Sequence, residues 1–241
     1  MNEIIERTIR TGKKGYIAFI DIKKDYDRLD RNCLFKVMEN LVGIPEKFRN
    51  IIKSMHTNAK MKFIIGDIET NWVDCDRGVR QGCIMSPLLF NLYTEELIAR
   101  VKNVNSGIQV GRDMICILMY VDDIVLFSVT VTGMQSLLNA VGDYSKEFDV
   151  IFGHEKSNII AINEVLPDAY EWFLNDTKLE NVSEYRYLGV LLSSNGCSKG
   201  KNQRLFKAQQ WYGQLYSATK FRHNKYEIVR ELWKGVTVPG I

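Results

Sequence analysis

The chain lacks the features that mark membrane, secreted and disulfide-rich proteins. Its longest uninterrupted apolar run, 114–121, has eight residues, whereas a membrane-spanning helix needs about 20. Residues 1–15 contain no apolar stretch of the kind that marks a secretory signal peptide. The five cysteines form no Cys-x-x-Cys pair, so neither a disulfide framework nor a zinc finger is expected. These absences predict an intracellular protein without a membrane segment.

The composition excludes a second group of protein classes. Hydrophobic residues make up 46% of the 241 positions, charged residues 25% and aromatic residues 11%. Intrinsically disordered, collagen-like and coiled-coil proteins have different compositions. A chain of this length can bury a full-sized core, as one large domain or as one domain with an appendage.

Charge is distributed unevenly along the chain. Residues 1–112 carry 19 basic and 14 acidic side chains, residues 113–198 carry 4 and 13, and residues 199–241 carry 9 and 2. One interpretation is an ordinary globular protein with a basic terminal helix. The other is a segment that grips a polyanion beside an acidic centre that needs cations. Charge alone leaves both open.

Hydrophobic periodicity predicts a chain of the α+β class. Apolar residues recur at helical spacing in 34–41, 46–57, 86–100, 134–148 and 201–219. Short apolar runs typical of strands occur at 16–21, 61–65, 70–75, 114–119, 124–127, 158–162, 171–174 and 185–192. A polar turn at 193–196 is the best candidate boundary, because a basic tail follows it.

Two adjacent carboxylates provide the first strong chemical signal. Asp122 and Asp123 stand between two apolar runs, although Asp is a poor strand residue and is costly to bury without a partner. An exposed turn is the simpler explanation of this pair. Asp21 favours a site, because it ends another apolar run. Three carboxylates converging from two strand ends can hold two Mg²⁺ ions for an in-line phosphoryl transfer.

Five sequence blocks, taken in order, resemble the palm of a reverse transcriptase of a non-LTR (LINE-type) retrotransposon. They are FIDIKKDYDRLD (19–30), RGVRQGCIMSPLLFNLY (77–93), YVDD (120–123), FGHEKSN (152–158) and YRYLGVLLSSNG (185–196). Each block alone is a weak signal, but five in family order leave little room for coincidence. Arg-Gly-Val-Arg-Gln-Gly fits a group II intron-type or telomerase-like polymerase less well.

The resemblance implies a role for individual residues. Asp21, Asp122 and Asp123 are expected to be catalytic and to bind two Mg²⁺ or Mn²⁺ ions. Lys156 is expected to bind or protonate the leaving pyrophosphate. Nucleotide- or template-binding residues are expected at Tyr26, Arg80, Gln81, Gly82 and Tyr120. A primer grip is expected at Tyr187, Leu188 and Gly189.

Simpler interpretations of several of these residues stay open at this point. Lys156 fits a solvated loop lysine, and Leu188 fits a core residue of a strand. Arg80, with Arg77, fits a contact to the template backbone. Both arginines fit equally well as partners of the acidic residues at 74 and 76.

The resemblance also implies a domain arrangement and a function. It divides the chain into a remnant of the fingers or entry helix (1–15), a palm of antiparallel sheet and packed helices (16–196) and the basic, helical start of a thumb (197–241). The fingers are largely missing, so a longer parent protein with fingers and endonuclease segments is expected. The implied function is RNA-directed DNA polymerase (a nucleotidyltransferase), with RNA template, DNA primer and dNTP as partners. A degenerate palm that only binds RNA or protein is the alternative.

Overall fold

The computed structural model describes residues 1–23, 25–41, 43–164 and 170–194. Its helices are α1 (Asn2–Arg10), α2 (Asp25–Arg28), α3 (Arg31–Asn40), α4 (Glu46–His56), α5 (Ser86–Asn103) and α6 (Val131–Phe148). Its strands are β1 (Gly15–Asp21), β2 (Lys60–Met61), β3 (Ile64–Ile65), β4 (Ile68–Glu69), β5 (Val73–Asp74), β6 (Ile108–Val110), β7 (Asp113–Ile115), β8 (Ile117–Tyr120), β9 (Asp123–Ser128), β10 (Asn158–Ile162), β11 (Trp172–Leu174), β12 (Thr177–Asn181), β13 (Glu184–Tyr187) and β14 (Val190–Ser193). The basic segment predicted to start a thumb lies outside the described residues.

A six-stranded sheet organises the fold, in the order β11-β12-β10-β1-β9-β8. Strand β1 lies inside it and pairs antiparallel with β9 on one edge and with β10 on the other. The pair β10–β12 is parallel and the other pairs of this sheet are antiparallel. Every residue of β1 before Asp21 is buried, as expected for an apolar strand that is covered on both faces.

The two faces of the sheet bury two separate hydrophobic clusters. Tyr16, Ala18 and Ile20 of β1 belong to the larger cluster, which also contains the apolar residues of α3, α5 and α6. Ile17 and Phe19 belong to the smaller cluster under α1 and the β13–β14 hairpin. This alternation follows from the two-residue period of a strand. None of the described helices is long and apolar enough to cross a membrane.

Several segments differ from the sequence-based expectation, and the apolar run 114–119 is divided between β7 and β8. The two strands expected within 61–75 are broken into the short pairs β2–β5 and β3–β4. The run 185–192 is a hairpin rather than one strand, because Leu188 (φ 46°) and Gly189 (φ 75°) form its turn. The side chain of Leu188 is 50% exposed, so the interpretation of Leu188 as a core residue is wrong.

A buried arginine anchors the loop that precedes α5. Arg31 is 8% exposed and donates hydrogen bonds to the backbone oxygens of Gly78 (2.8 Å), His56 (2.8 Å), Arg77 (2.9 Å) and Cys75. A guanidinium group carries five donors in a fixed planar fork, so it can satisfy several carbonyls at once. The loop held in this way continues directly into the block predicted to bind nucleotide and template.

Replacing Arg31 by methionine removes these donors from the buried Gly78 oxygen and from three partly buried carbonyl oxygens. We expect Arg31→Met to lower the free energy of unfolding by about 3 kcal/mol, measured by urea denaturation followed by circular dichroism. Arg112 is exposed, so Arg112→Met is the matched control and changes the same free energy by less than about 0.5 kcal/mol. Equal effects of the two variants would contradict the anchoring role.

Candidate active site

Two of the three predicted catalytic carboxylates belong to directly paired residues. Asp21, the last residue of β1, is the cross-strand partner of Asp123, the first residue of β9. Residues opposite each other in an antiparallel pair project from the same face, with Cβ atoms about 5 Å apart. Asp122 lies in the turn before β9, and its backbone oxygen accepts a hydrogen bond from the amide of Ile22 at 3.3 Å. The fold thus brings the three aspartates together at one end of the sheet.

The turn between β8 and β9 has an unusual backbone. Val121 has a φ of 55°, although a β-branched residue rarely adopts the left-handed region. Such a conformation costs of order 1–3 kcal/mol and persists only where the surrounding structure enforces it. The pairing of Tyr120 with Asp123 encloses this turn, so the two strands impose the geometry that presents Asp122.

Negative charge is concentrated around Asp123. Its pKa is raised above the ordinary carboxyl value, first by burial and then by the carboxylates of Asp122 and Asp21, whereas Lys156 lowers it. Three carboxylates form an all-oxygen donor set, which suits a hard divalent cation. No group of three or more His, Cys, Asp or Glu side chains within the described ranges is arranged so that it could hold a metal ion. The oxygen donors suit Mg²⁺ or Mn²⁺ by their chemistry, whereas their arrangement in the described residues does not amount to a metal site.

The turn 153–157 carries Lys156 to the same place. The ammonium nitrogen of Lys156 lies 3.4 Å from Oδ1 of Asp21, and the two side chains are 73% and 15% exposed. A surface ion pair of this kind adds little stability. The position of Lys156 matters more than this stability. Its exposed ammonium group lies beside the carboxylates and does not extend away from them into solvent.

Gln81 and Gly82 follow the loop anchored by Arg31. Nε2 of Gln81 donates a hydrogen bond to Oδ1 of Asp27 at 2.9 Å, which ties the second sequence block to the first. Gly82 has a φ of 81° and open space where a Cβ would be, a backbone that glycine adopts without strain. Tyr26 is partly buried and stacks on Phe90 at 5.3 Å between ring centroids.

The structure corrects the expectation for Arg77. Its guanidinium pairs with the carboxylates of Asp149 and Asp30, the latter at 3.2 Å. The two acidic residues at 74 and 76 are therefore not its partners, because folding brings a distant helix end closer than its neighbours in sequence. Arg80 and Tyr120 are exposed, so both side chains are accessible from solvent.

The β13–β14 hairpin packs beside the carboxylates. Tyr187 is buried against Phe19, and Tyr185 stacks on the same ring at 4.2 Å between centroids. The Tyr185 hydroxyl donates a hydrogen bond to the backbone oxygen of Lys156 at 2.7 Å. Burial and the Asp123 carboxylate raise the pKa of Tyr185 and of Tyr187 to about 12. Sequence reasoning missed Tyr185. Its position two residues before Tyr187 was the signal that could have indicated it.

A protein family described as reverse transcriptase (RNA-dependent DNA polymerase) matches residues 2–192. The chain belongs to the reverse transcriptase family. Reverse transcriptases generally use divalent metal ions together with an RNA template and a primer.

Relatives of this reverse transcriptase chain are proteins of mobile elements. The Pol polyprotein of the R2 element of Nasonia vitripennis is 27% identical over 191 residues, covering 75% of this chain and 18% of the relative. The RNA-directed DNA polymerase of the mobile element jockey of Drosophila funebris is 24% identical over 188 residues, covering 75% and 20%. The chain is thus a non-LTR retrotransposon reverse transcriptase domain and spans about a fifth of the length of these relatives.

Solved telomerase structures share the fold of this reverse transcriptase domain. Telomerase of Candida albicans, solved with the TWJ fragment of telomeric RNA, matches with a TM-score of 0.57 and 13% identity, covering 96% of this chain and 40% of that one. Apo telomerase of Candida tropicalis, in a form truncated at its C-terminal domain, matches with a TM-score of 0.53 and 16% identity, covering 82% of this chain and 39% of that one. The likeness confirms the expected polymerase palm of antiparallel sheet and packed helices.

The crowding of carboxylates in this reverse transcriptase domain predicts a cost in stability. Because the pKa of Asp123 is raised in the folded chain, the protonated carboxyl stabilises the fold relative to the carboxylate. This stabilisation is complete below the ordinary carboxyl pKa and is lost as the pH rises through the raised value. Asparagine resembles the protonated form and stays neutral at every pH.

We therefore expect Asp123→Asn to raise the free energy of unfolding at pH 7 without divalent cations, and the gain to shrink as the pH falls toward 4. Urea denaturation in the presence of EDTA measures both. Asp113 is exposed on β7, so Asp113→Asn is the control that changes neither value appreciably. A less stable Asp123→Asn variant at pH 7 would show that the carboxylate is not under electrostatic strain.

Proposed function

We propose that this chain is the polymerising part of an RNA-directed DNA polymerase, which extends a DNA primer on an RNA template. The observation that carries the proposal is the direct pairing of Asp21 with Asp123, beside Asp122 and with the Lys156 ammonium at 3.4 Å from Asp21. A charged cluster of this kind on paired strand ends has no structural purpose that would offset its desolvation.

Asp21, Asp122 and Asp123 are the residues that would hold two Mg²⁺ or Mn²⁺ ions. Bound divalent cations supply charge stabilisation for the attacking and leaving oxygens of an in-line displacement. In the reaction the primer 3′-oxygen forms a bond to the α-phosphorus of a dNTP, and the bond to the leaving pyrophosphate breaks. Lys156 would hold the pyrophosphate and give it a proton.

The remaining predicted residues bind and orient the substrates. Arg80 and Tyr120 present exposed side chains for nucleotide or template, and Gln81 and Gly82 line the nucleotide pocket. The tight turn of the β13–β14 hairpin, at Leu188 and Gly189, presents backbone to the primer, and the buried Tyr187 fixes that turn to the sheet.

The domain arrangement belongs to the same proposal. Residues 16–196 form the palm, residues 1–15 belong to the fingers or entry helix, and residues 197–241 begin a basic thumb that grips the duplex through its phosphates. Fingers and endonuclease segments belong to a longer parent protein inside the cell. Positioning supplies much of the rate enhancement of phosphoryl transfer, so the palm depends on the fingers.

Primer extension on an RNA template with Mg²⁺ or Mn²⁺ tests the proposed activity. We expect the chain alone to extend weakly or not at all, and a fusion with the upstream segment of the Nasonia vitripennis R2 relative to synthesise DNA. Asp122→Asn or Asp123→Asn in the fusion abolishes synthesis, whereas Asp113→Asn leaves it unchanged. Product length is read on denaturing gels.

Two outcomes would change the conclusion. A fusion that binds template–primer and stays inactive indicates a palm that has kept its carboxylates without the chemistry and serves only to bind RNA. Strong extension by the chain alone shows that the fingers contribute less than we propose.

Sugar selection provides a separate test of the nucleotide pocket. A ring at Tyr26 would clash with the 2′-hydroxyl of a ribonucleotide and leave a deoxyribonucleotide undisturbed. We expect Tyr26→Ala in the active fusion to raise the incorporation of rNTP relative to dNTP, whereas Tyr26→Phe, which keeps the ring, does not. Competition between the two nucleotides in single-nucleotide extension measures the ratio. An unchanged ratio in Tyr26→Ala would remove Tyr26 from the pocket.

A further inference from the structure

The backbone of Asp21 is held on one side by a turn and not by a strand. The regular pairing of β1 with β10 ends at Phe19 and Asn158, two residues before Asp21. Beyond that point the amide of Gly153 donates a hydrogen bond to the Asp21 backbone oxygen at 2.8 Å. The Asp21 amide donates to the hydroxyl oxygen of Ser157 at 3.3 Å.

Ser157 closes this arrangement. Its side chain is 1% exposed, and its hydroxyl donates to the Gly153 backbone oxygen at 2.9 Å while it accepts from the Asp21 amide. The Ser157 hydroxyl oxygen therefore takes the place of the carbonyl oxygen that β10 would offer to the Asp21 amide if it extended that far. The same hydroxyl also holds the turn whose Gly153 amide donates to the Asp21 backbone oxygen. A buried hydroxyl with both a donor and an acceptor partner is fully committed to one orientation.

Gly153 lies against the Asp21 carboxylate and leaves no room for a side chain between the turn and that carboxylate. A Cβ at Gly153 would collide with Oδ2 of Asp21, so the turn packs directly against that oxygen. The residue before Ser157 is Lys156, whose ammonium lies 3.4 Å from Oδ1. The backbone and both carboxylate oxygens of Asp21 thus touch the same short turn.

We infer that Ser157 is a positioning residue, which sets the orientation of Asp21 for divalent-cation binding and places Lys156 beside it. The inference rests on the proposed function, because it takes Asp21 as a metal ligand. Without the hydroxyl, the Asp21 amide loses its partner and the Gly153 oxygen keeps only the hydrogen bond from the Lys156 amide, so the turn can move away from the strand end. Groups that orient metal ligands typically change metal affinity 10- to 100-fold when they are removed.

Binding of Mn²⁺ to the full chain, followed by electron paramagnetic resonance of the free ion, tests the inference without an activity assay. We expect Ser157→Ala to weaken Mn²⁺ binding by about tenfold. Ser157→Cys keeps nearly the same volume with a weak hydrogen-bonding group, and it is expected to weaken binding as well. Thermal melting followed by circular dichroism confirms that each variant is folded.

Ser145 provides a matched control. It is 4% exposed, and its hydroxyl donates to the Gly142 backbone oxygen at 2.7 Å and accepts from the side-chain amide (Nδ2) of Asn175 at 3.0 Å. Ser145→Ala therefore removes the same atom from an equivalent buried environment on α6. It is expected to lower the melting temperature without a change in Mn²⁺ affinity.

Asp21→Asn separates this inference from the proposed function. If Asp21→Asn loses Mn²⁺ binding and both Ser157 variants keep wild-type affinity, the role of Ser157 is overturned and the metal site stands. If Asp21→Asn binds Mn²⁺ as wild type does, the metal site of the proposed function is wrong and the role of Ser157 falls with it. Should Ser157→Ala fail to fold, the affinity of Ser157→Cys decides.

Discussion

Strand β1 is the element on which the rest of the structure depends, because it is hydrogen-bonded on both edges and buried on both faces. Its pairing with β9 sets Asp21 opposite Asp123, and its pairing with β10 leads directly into the turn that carries Lys156. A one-residue slip in either register would move Asp21 to the other face of the sheet. Alternate apolar residues in two separate clusters make such a slip costly, so the core itself defines the geometry of the site.

The carboxylates are maintained at the expense of the stability of the isolated chain. Asp123 is partly buried near two other acids, which raises its pKa, and Val121 is held in a backbone region that β-branched residues avoid. Both features are unfavourable for folding, and both occur at the strand ends where cations and phosphates would bind. Strain of this kind is expected where a site is organised for a charged ligand.

The buried Arg31 and the exposed Arg77 connect segments that are far apart in the sequence. Arg31 holds the backbone before the Gln81 loop, and Arg77 joins that loop to Asp30 and to Asp149 at the end of α6. Gln81 in turn contacts Asp27 of the first block. The block predicted to bind nucleotide is therefore tied to the segment after β1 through charged and polar contacts, while the core beneath it is apolar.

The sequence alone determined the α+β class and the main helices and predicted which aspartates are catalytic, because period and motif are local properties of the chain. It also indicated the family, since five blocks in order carry more information than any single block. Only the tertiary structure decided which side chains meet: the partners of Arg77, the exposure of Leu188, the contact of Tyr185 with the Lys156 turn and the position of Ser157 beside Asp21. Those contacts join residues that are far apart in sequence. They depend on strand register and helix packing, which no local pattern specifies.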